Sequence, residues 1–328
     1  MKLDFNDLLI VPKEISSITT RSSINPYING KLPLITAPMD TVLSETNAKL
    51  FRENKIEICQ PRYHQMQYGF KSYSIQQMRN LYDSKQLKNG KYLIDIANGH
   101  MDSVLHLTKD IKKDHPNLTL MVGNIANPET YRILSEAGAD YIRVGIGNGG
   151  GCLTTQNTGV GYPMASLIRE CYEISATLKK PAYIVADGGM KDYSDIIKAL
   201  ALGADYVMLG SILNKSLESA GDNFLWKKIK VPQKVAEFAY RHGVPVYKLF
   251  RGMSTKEVQK KWGAEKIKTS EGVVRYRKVE YTLSQWTENF EHYLRSAMSY
   301  AGALDLNEFI GKANLVQITD NAYKRFNK

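Results

Sequence analysis

A nine-residue pattern occurs twice in the chain, as AGADYIRVG (137–145) and as LGADYVMLG (202–210). In each copy a glycine stops a helical stretch, an acidic turn follows, and an apolar strand runs into a second glycine. Helical patterns lead into both copies, over Pro128 to Glu136 and over Tyr193 to Ala201. A helix–turn–strand unit used more than once restricts the chain to alternating α/β architectures. Other short apolar runs fit the same unit: Leu34 to Thr36, Ile56 to Cys59, Tyr92 to Ile96, Leu118 to Val122 and Tyr183 to Ala186. They are mostly apolar, as strands covered on both faces must be. Seven strands are thereby predicted, with an eighth expected near Met66 to Ser72. Eight parallel strands joined by helices close into a barrel; a doubly wound open sheet is the alternative.

Composition excludes several function classes. At 43% hydrophobic and 23% charged residues over 328 positions, the chain can bury a core and is neither disordered nor fibrous. Lys+Arg exceed Asp+Glu by 44 − 33 = 11, a balance that attracts anions. The basic clusters Lys227-Lys228-Ile229-Lys230, Lys260-Lys261 and Arg275-Tyr276-Arg277-Lys278 read as solvated faces. Without zinc-finger spacing or a ribonucleoprotein motif beside them, nucleic acid is not an expected partner. Cys59, Cys152 and Cys171 are odd in number and far apart, so no disulfide framework is expected. No run approaches the roughly 18 apolar residues of a membrane span, and Asp4, Asn6 and Asp7 break any leader-like start. A soluble, cytoplasmic, single-domain protein over 1–328 is the expectation.

In such a barrel, chemistry belongs to the loops that follow the strands. Here those loops read Ala37-Pro38-Met39-Asp40, Ala97-Asn98-Gly99-His100, Gly123-Asn124, Gly145 to Cys152, Asp187-Gly188-Gly189 and Gly210-Ser211. The segment 145–155, GIGNGGGCLTT, places five glycines before a cysteine. Such a stretch lets a ligand or ion approach the backbone closely, and a thiol at the end of a buried strand is well placed as a nucleophile. Asp187-Gly188-Gly189 and Gly210-Ser211, each before a helical stretch, suggest phosphate held by backbone amides at helix N-termini. The six histidines lack metal-ligand spacing, and His100 is read as a surface residue. No Gly-x-Gly-x-x-Gly opens a helix after a strand, so any dinucleotide is not held as in a Rossmann fold.

Ten stretches, in order, carry a resemblance: LDFNDLLIVPK (3–13), APMDTV (37–42), DIANGH (95–100), GNIANPET (123–130), GIGNGGGCLTT (145–155), TGVGYP (158–163), ADGG (186–189), YVMLGS (206–211), FRGMS (250–254) and SEG (270–272). On them the chain resembles the inosine monophosphate dehydrogenase / guanosine monophosphate reductase family. The resemblance implies an α/β fold, a (β/α)8 TIM barrel, with an active-site flap at about 251–285 and a basic insertion at about 222–246. LDFNDLLIVPK, DIANG and TGVGYP are similar to the reductase, whereas the proline of APMDTV leans toward the dehydrogenase. The regulatory domain that most dehydrogenases insert after the second strand finds no room here. The dehydrogenase flap also carries an Arg-Tyr pair; residues 254–269 hold none, and Arg275-Tyr276 follows Glu271, in the wrong order.

The implied activity is therefore NADPH-dependent reductive deamination of GMP, or dGMP, to IMP and ammonia through a covalent Cys152 thioimidate. Oxidation of IMP to XMP with NAD is the alternative. The resemblance assigns catalysis to Cys152, Thr154 and Glu271. It assigns the purine nucleoside monophosphate to Met39, Asp40, Asp187, Gly188, Gly189, Gly210, Ser211, Arg251, Gly252, Met253 and Ser254. The nicotinamide dinucleotide, NADPH with NADH as the alternative, falls to Arg62, Asp95, Asn98, Gly99, Lys268 and Ser270. A monovalent cation such as potassium is implied on backbone carbonyls of Gly147, Gly149 and Cys152, and a homotetramer as the assembly. Two departures stand out. The family's serine two residues before the cysteine is Gly150, which removes a hydroxyl donor to the substrate phosphate. The family's Ile-His-Lys-His-like segment after strand two reads Cys59-Gln60-Pro61-Arg62-Tyr63-His64, with its following helix deleted.

Overall fold

The computed structural model describes residues 1–64, 66–252, 255 and 272–326. Its strands are β1 (Leu8–Ile10), β2 (Leu34–Thr36), β3 (Lys71–Tyr73), β4 (Lys91–Asp95), β5 (Thr119–Ile125), β6 (Tyr141–Val144), β7 (Tyr183–Asp187), β8 (Tyr206–Leu209), β9 (Asn223–Leu225), β10 (Ile229–Val231), β11 (Val246–Arg251), β12 (Val274–Lys278) and β13 (Leu315–Gln317). Seven of them, in the order β2-β8-β7-β6-β5-β4-β3, form one wholly parallel sheet. The gap between β2 and β3 is filled by the predicted run Ile56 to Cys59. Glu57 bridges Ile35 of β2, and Cys59 bridges Phe70, the residue before β3; both bridges are parallel. This run is too short for a full ladder, yet it supplies the eighth stave, and the sheet closes as a (β/α)8 TIM barrel. From Gln60 to Gly69 the described residues form no helix.

Burial follows the closure. Ile35, Cys59, Phe70, Leu93, Met121, Val185, Tyr206 and Met208 fill the barrel interior. Alternate residues on the strands pack outward against the helices, among them Leu34, Ile94, Val122, Ile142, Ile184 and Val207.

The repeated motif has a structural cause. Gly138 (φ +95°) and Gly203 (φ +123°) end their helices in a backbone region closed to most side chains. The aspartate two residues on then latches the chain to the neighbouring strand. Asp140 accepts the Leu120 amide at 2.8 Å and donates its own N–H to the Leu120 carbonyl at 2.9 Å. Asp205 does the same with Ile184, at 2.7 and 3.0 Å. These latches and the rings of Tyr141, Tyr183 and Tyr206, whose centroids lie 5.0–5.9 Å apart, close the foot of the barrel.

A second sheet stands at the mouth, antiparallel throughout, in the order β10-β9-β11-β12. Residues 222–246, expected as a basic insertion, supply its β9–β10 hairpin and the helix Gln233–Arg241. Pairing of β12 with β11 sets Arg277 opposite Lys248 and Arg275 opposite Phe250. Among the described residues no helix is long and apolar enough to cross a membrane.

Candidate active site

A cavity of about 610 Å³ opens at the C-terminal ends of the barrel strands, within the size range of small-molecule sites. Its wall brings together, from distant parts of the sequence, Met39, Arg62, Asp95, Gly147, Gly149, Cys152, Thr154, Asp187, Gly188, Gly189, Gly210, Ser211 and Gly252. Each of these was picked out from sequence. The turn Asp187-Gly188-Gly189 lies so close to the glycine-rich loop that a Cβ on Gly188 (φ +91°) would sit 2.9 Å from the Gly149 nitrogen.

The three thiols differ sharply. Burial pushes Cys59 up to about 12 and raises Cys171 as well, which keeps both protonated and unreactive. Cys152 is half-buried at the cavity wall, with its Sγ hydrogen-bonded to Thr154 Oγ1 at 3.2 Å. Its backbone amide donates to the Gly149 carbonyl at 2.9 Å, and a bridge to Gly272 ties the loop to the chain just before β12.

The cavity wall carries a buried charge network. Arg143, on the inward face of β6, reaches Asp95 Oδ1 at 2.9 Å and Asp187 Oδ2 at 2.8 Å. Burial alone would lower Arg143, but Asp187 and Asp95 outweigh it and hold the guanidinium charged. Asp95 is subject to the same burial in the opposite sense; Arg62 and Arg143 outweigh it and keep the carboxyl below its usual range. Arg62 Nε donates to Asp95 Oδ2 at 2.9 Å, and Asn124 Nδ2 donates to Asp187 Oδ2 at 2.8 Å.

Several anticipated residues sit elsewhere. Asp40 and Arg251 pair with each other at 2.6 Å and are not among the cavity's lining residues. Asn98 is exposed, its Oδ1 accepting the His100 amide at 3.1 Å. Gly99 is buried, and its N–H donates to the Asn124 carbonyl. His100 is exposed and links two rim loops through Thr130 Oγ1 and the Ala126 amide. Met253, Ser254, Lys268, Ser270 and Glu271 lie outside the described residues. The helix N-termini expected to hold phosphate are not available as such. The helix after Gly210 is one turn, Ser211–Asn214, and the helix Tyr193–Leu202 is capped by Asp192 on the Asp195 amide.

Five cations in the wall escaped the sequence reading: Arg143, Lys191, Lys215, Arg275 and Arg277. In the sequence Arg275 and Arg277 belong to a basic cluster that reads as a solvated face, and Arg275-Tyr276 follows Glu271, in the wrong order for a dehydrogenase flap. Strand alternation on β12 turns both toward the cavity and sends Tyr276, between them, onto Phe224, ring centroids 4.9 Å apart. An i, i+2 pair of arginines on a short strand was the signal available in the sequence.

With this geometry in view, comparison with known proteins is specific. The family model described as the IMP dehydrogenase / GMP reductase domain matches residues 69–326. GMP reductase 2 of Homo sapiens is 30% identical, with 100% of this chain and 97% of that protein covered. GMP reductase 1 of Mus musculus is 30% identical over 97% and 96%. GMP reductase of Caenorhabditis elegans is 27% identical over 97% and 92%.

Proposed function

The chain belongs to the IMP dehydrogenase / GMP reductase family, and we propose that it is an oxidoreductase that reduces GMP, or dGMP, to IMP and ammonia with NADPH. The observation that carries this reading is the Cys152–Thr154 pair at 3.2 Å on the wall of a nucleotide-sized cavity, in a chain that matches GMP reductases along its length.

Cys152 attacks C2 of the purine as a thiolate, and the exocyclic amine departs as ammonia from the same carbon. Thr154, together with Glu271, supplies the proton that the departing amine takes up. The nucleotide is left joined to Cys152 through C2 as a thioimidate. NADPH, when bound, would supply a hydride to C2, and breaking of the C–S bond would then restore the Cys152 thiolate. Gly188, Gly189, Gly210 and Ser211 receive the phosphate through backbone amides and one hydroxyl, and Met39 lies against the base. Asp187 faces the ribose while Arg143 and Asn124 fix its carboxylate. Asp40 and Arg251 act as a pair that sets the rim loops, while Gly252, Met253 and Ser254 begin a flap over 251–285.

The dinucleotide enters on the side of Asp95, Asn98 and Gly99, with Lys268 and Ser270 from the flap. Arg62 is already bound to Asp95, so its first task there is to fix that loop. Carbonyl oxygens suit a hard cation, and Gly147, Gly149 and Cys152 would hold potassium, although the Gly149 carbonyl already accepts the Cys152 amide. A cytoplasmic homotetramer completes the proposal.

The test is spectrophotometric. Protein mixed with GMP and NADPH should consume the reduced nicotinamide's absorbance and release IMP and ammonium, with NADH run in parallel. Absorbance that instead rises with IMP and NAD, and no consumption with GMP, would replace this reading with the dehydrogenase.

A further inference from the structure

The loss of the family's serine at Gly150 poses a physical question, because a phosphate dianion must still be held in that corner of the cavity. A Cβ built on Gly150 would stand 3.0 Å from Arg277 Nη2 and 3.5 Å from Ser211 Oγ. A side chain at position 150 would therefore press on a guanidinium from β12, which would have to give by a few tenths of an ångström.

Three of the cations around the cavity have carboxylate partners. Arg62 and Arg143 are held by Asp95 and Asp187, and Lys215 by Glu280 at 3.0 Å. Arg277 has no carboxylate partner among the described residues, and its buried Nε has no hydrogen-bond partner. It is half-buried, with its guanidinium carbon 4.6 Å from the centre of the Phe250 ring, which fixes the plane of the fork. Burial and the like charge of Arg275 work against it, and the more distant carboxylate of Glu280 offsets them only in part. A desolvated cation with no carboxylate in contact is costly unless an anion arrives, and a guanidinium fork matches phosphate geometry.

We propose that Arg277, supported by Arg275, is the principal phosphate-binding residue of this chain, occupying the place of the missing serine hydroxyl, so that Gly150 and Arg277 form a single steric exchange. The proposal rests on the GMP reading above and deepens it. The pocket becomes selective for 5′-monophosphates over nucleosides by charge more than by neutral hydrogen bonds.

Calorimetric titration of the full-length protein with GMP and with guanosine tests this. Arg277→Gln should weaken GMP binding by about 10- to 100-fold, the range of a lost charged hydrogen bond, and leave guanosine binding unchanged. In turnover the same variant should raise KM for GMP with kcat preserved within about threefold, as loss of uniform binding requires. Arg277→Lys, which keeps the charge, should recover part of the GMP affinity. Gly150→Ser should weaken GMP binding in the wild-type background by crowding Arg277, and strengthen it in the Arg277→Gln background by restoring a hydroxyl. That reversal of sign is not expected of a residue that only props up Phe250. Equal GMP affinity in wild type and Arg277→Gln, or equal losses of GMP and guanosine, would overturn the clamp while leaving the GMP reading intact. Wild-type protein that fails to bind GMP at all would overturn both.

Discussion

The foot and the mouth of this barrel treat polar groups in opposite ways. At the foot, Asp140 and Asp205 each exchange two hydrogen bonds with a single residue of the adjacent strand. Asp140 is further paired with Lys112 at 2.7 Å. At the mouth, Cys152 and Arg277 stand at a cavity wall, and Arg277 has no ion-pair partner among the described residues. Between the two ends, buried Arg143 is held by two carboxylates whose strands end at the cavity, while its Nε has no hydrogen-bond partner among the described residues. Charged groups paired within the chain build the scaffold, and a half-buried cation at the cavity without an ion-pair partner is a place where an anion completes the structure.

Substitutions at the two ends should therefore fail in different ways. Cys152→Ser should lower kcat for GMP reduction by about a thousandfold or more, with GMP affinity and melting temperature close to wild type. A large fall in melting temperature would place that loop in the scaffold. Arg143→Ala crosses the divide: it leaves Asp95 and Asp187 facing each other, and breaking a buried pair from one side costs about 3–5 kcal/mol. Urea denaturation should show that loss together with weakened GMP binding, and an intact midpoint would contradict the network. Asp140→Ala should cost about 1–3 kcal/mol by orphaning the Leu120 amide while KM for GMP stays constant. A changed KM would mean that the foot communicates with the site.

The smallest expected effect is a slope. Burial pushes Asp205 up to about 7 from an ordinary value of 3.8. Between those values the folded chain keeps a proton that the unfolded chain has released. Its contribution to stability is therefore full at low pH and is lost as pH rises from about 4 to 7. Asp205→Asn should lack this slope, so the difference between variant and wild-type melting temperatures should change between about pH 4 and 7, whereas parallel pH profiles would show that Asp205 is charged in the fold.

The foot was readable because its determinants are local. Gly138-Ala139-Asp140 and Gly203-Ala204-Asp205 each set the helix stop and the latch within three residues. The stave at Ile56 to Cys59 was readable as an apolar run, although only two bridges hold it. The glycine-rich loop and Cys152 were readable because that composition has few structural uses. Arg277 was not, because its significance depends on Gly150, far away in sequence, where the clue is a missing side chain. The pairing of Asp40 with Arg251 was hidden for the same reason: both residues belong to motifs at the rim, and only the fold shows that they meet each other.

The central claim is that Cys152 carries the purine during turnover. Protein quenched in acid while turning over GMP with NADPH, then digested and analysed by mass spectrometry, should show the Cys152 peptide bearing a nucleotide attached without its exocyclic amine, and Cys152→Ser should show neither adduct nor ammonia. Sustained release of IMP and ammonia by Cys152→Ser, with no modified peptide in the wild type, would contradict it.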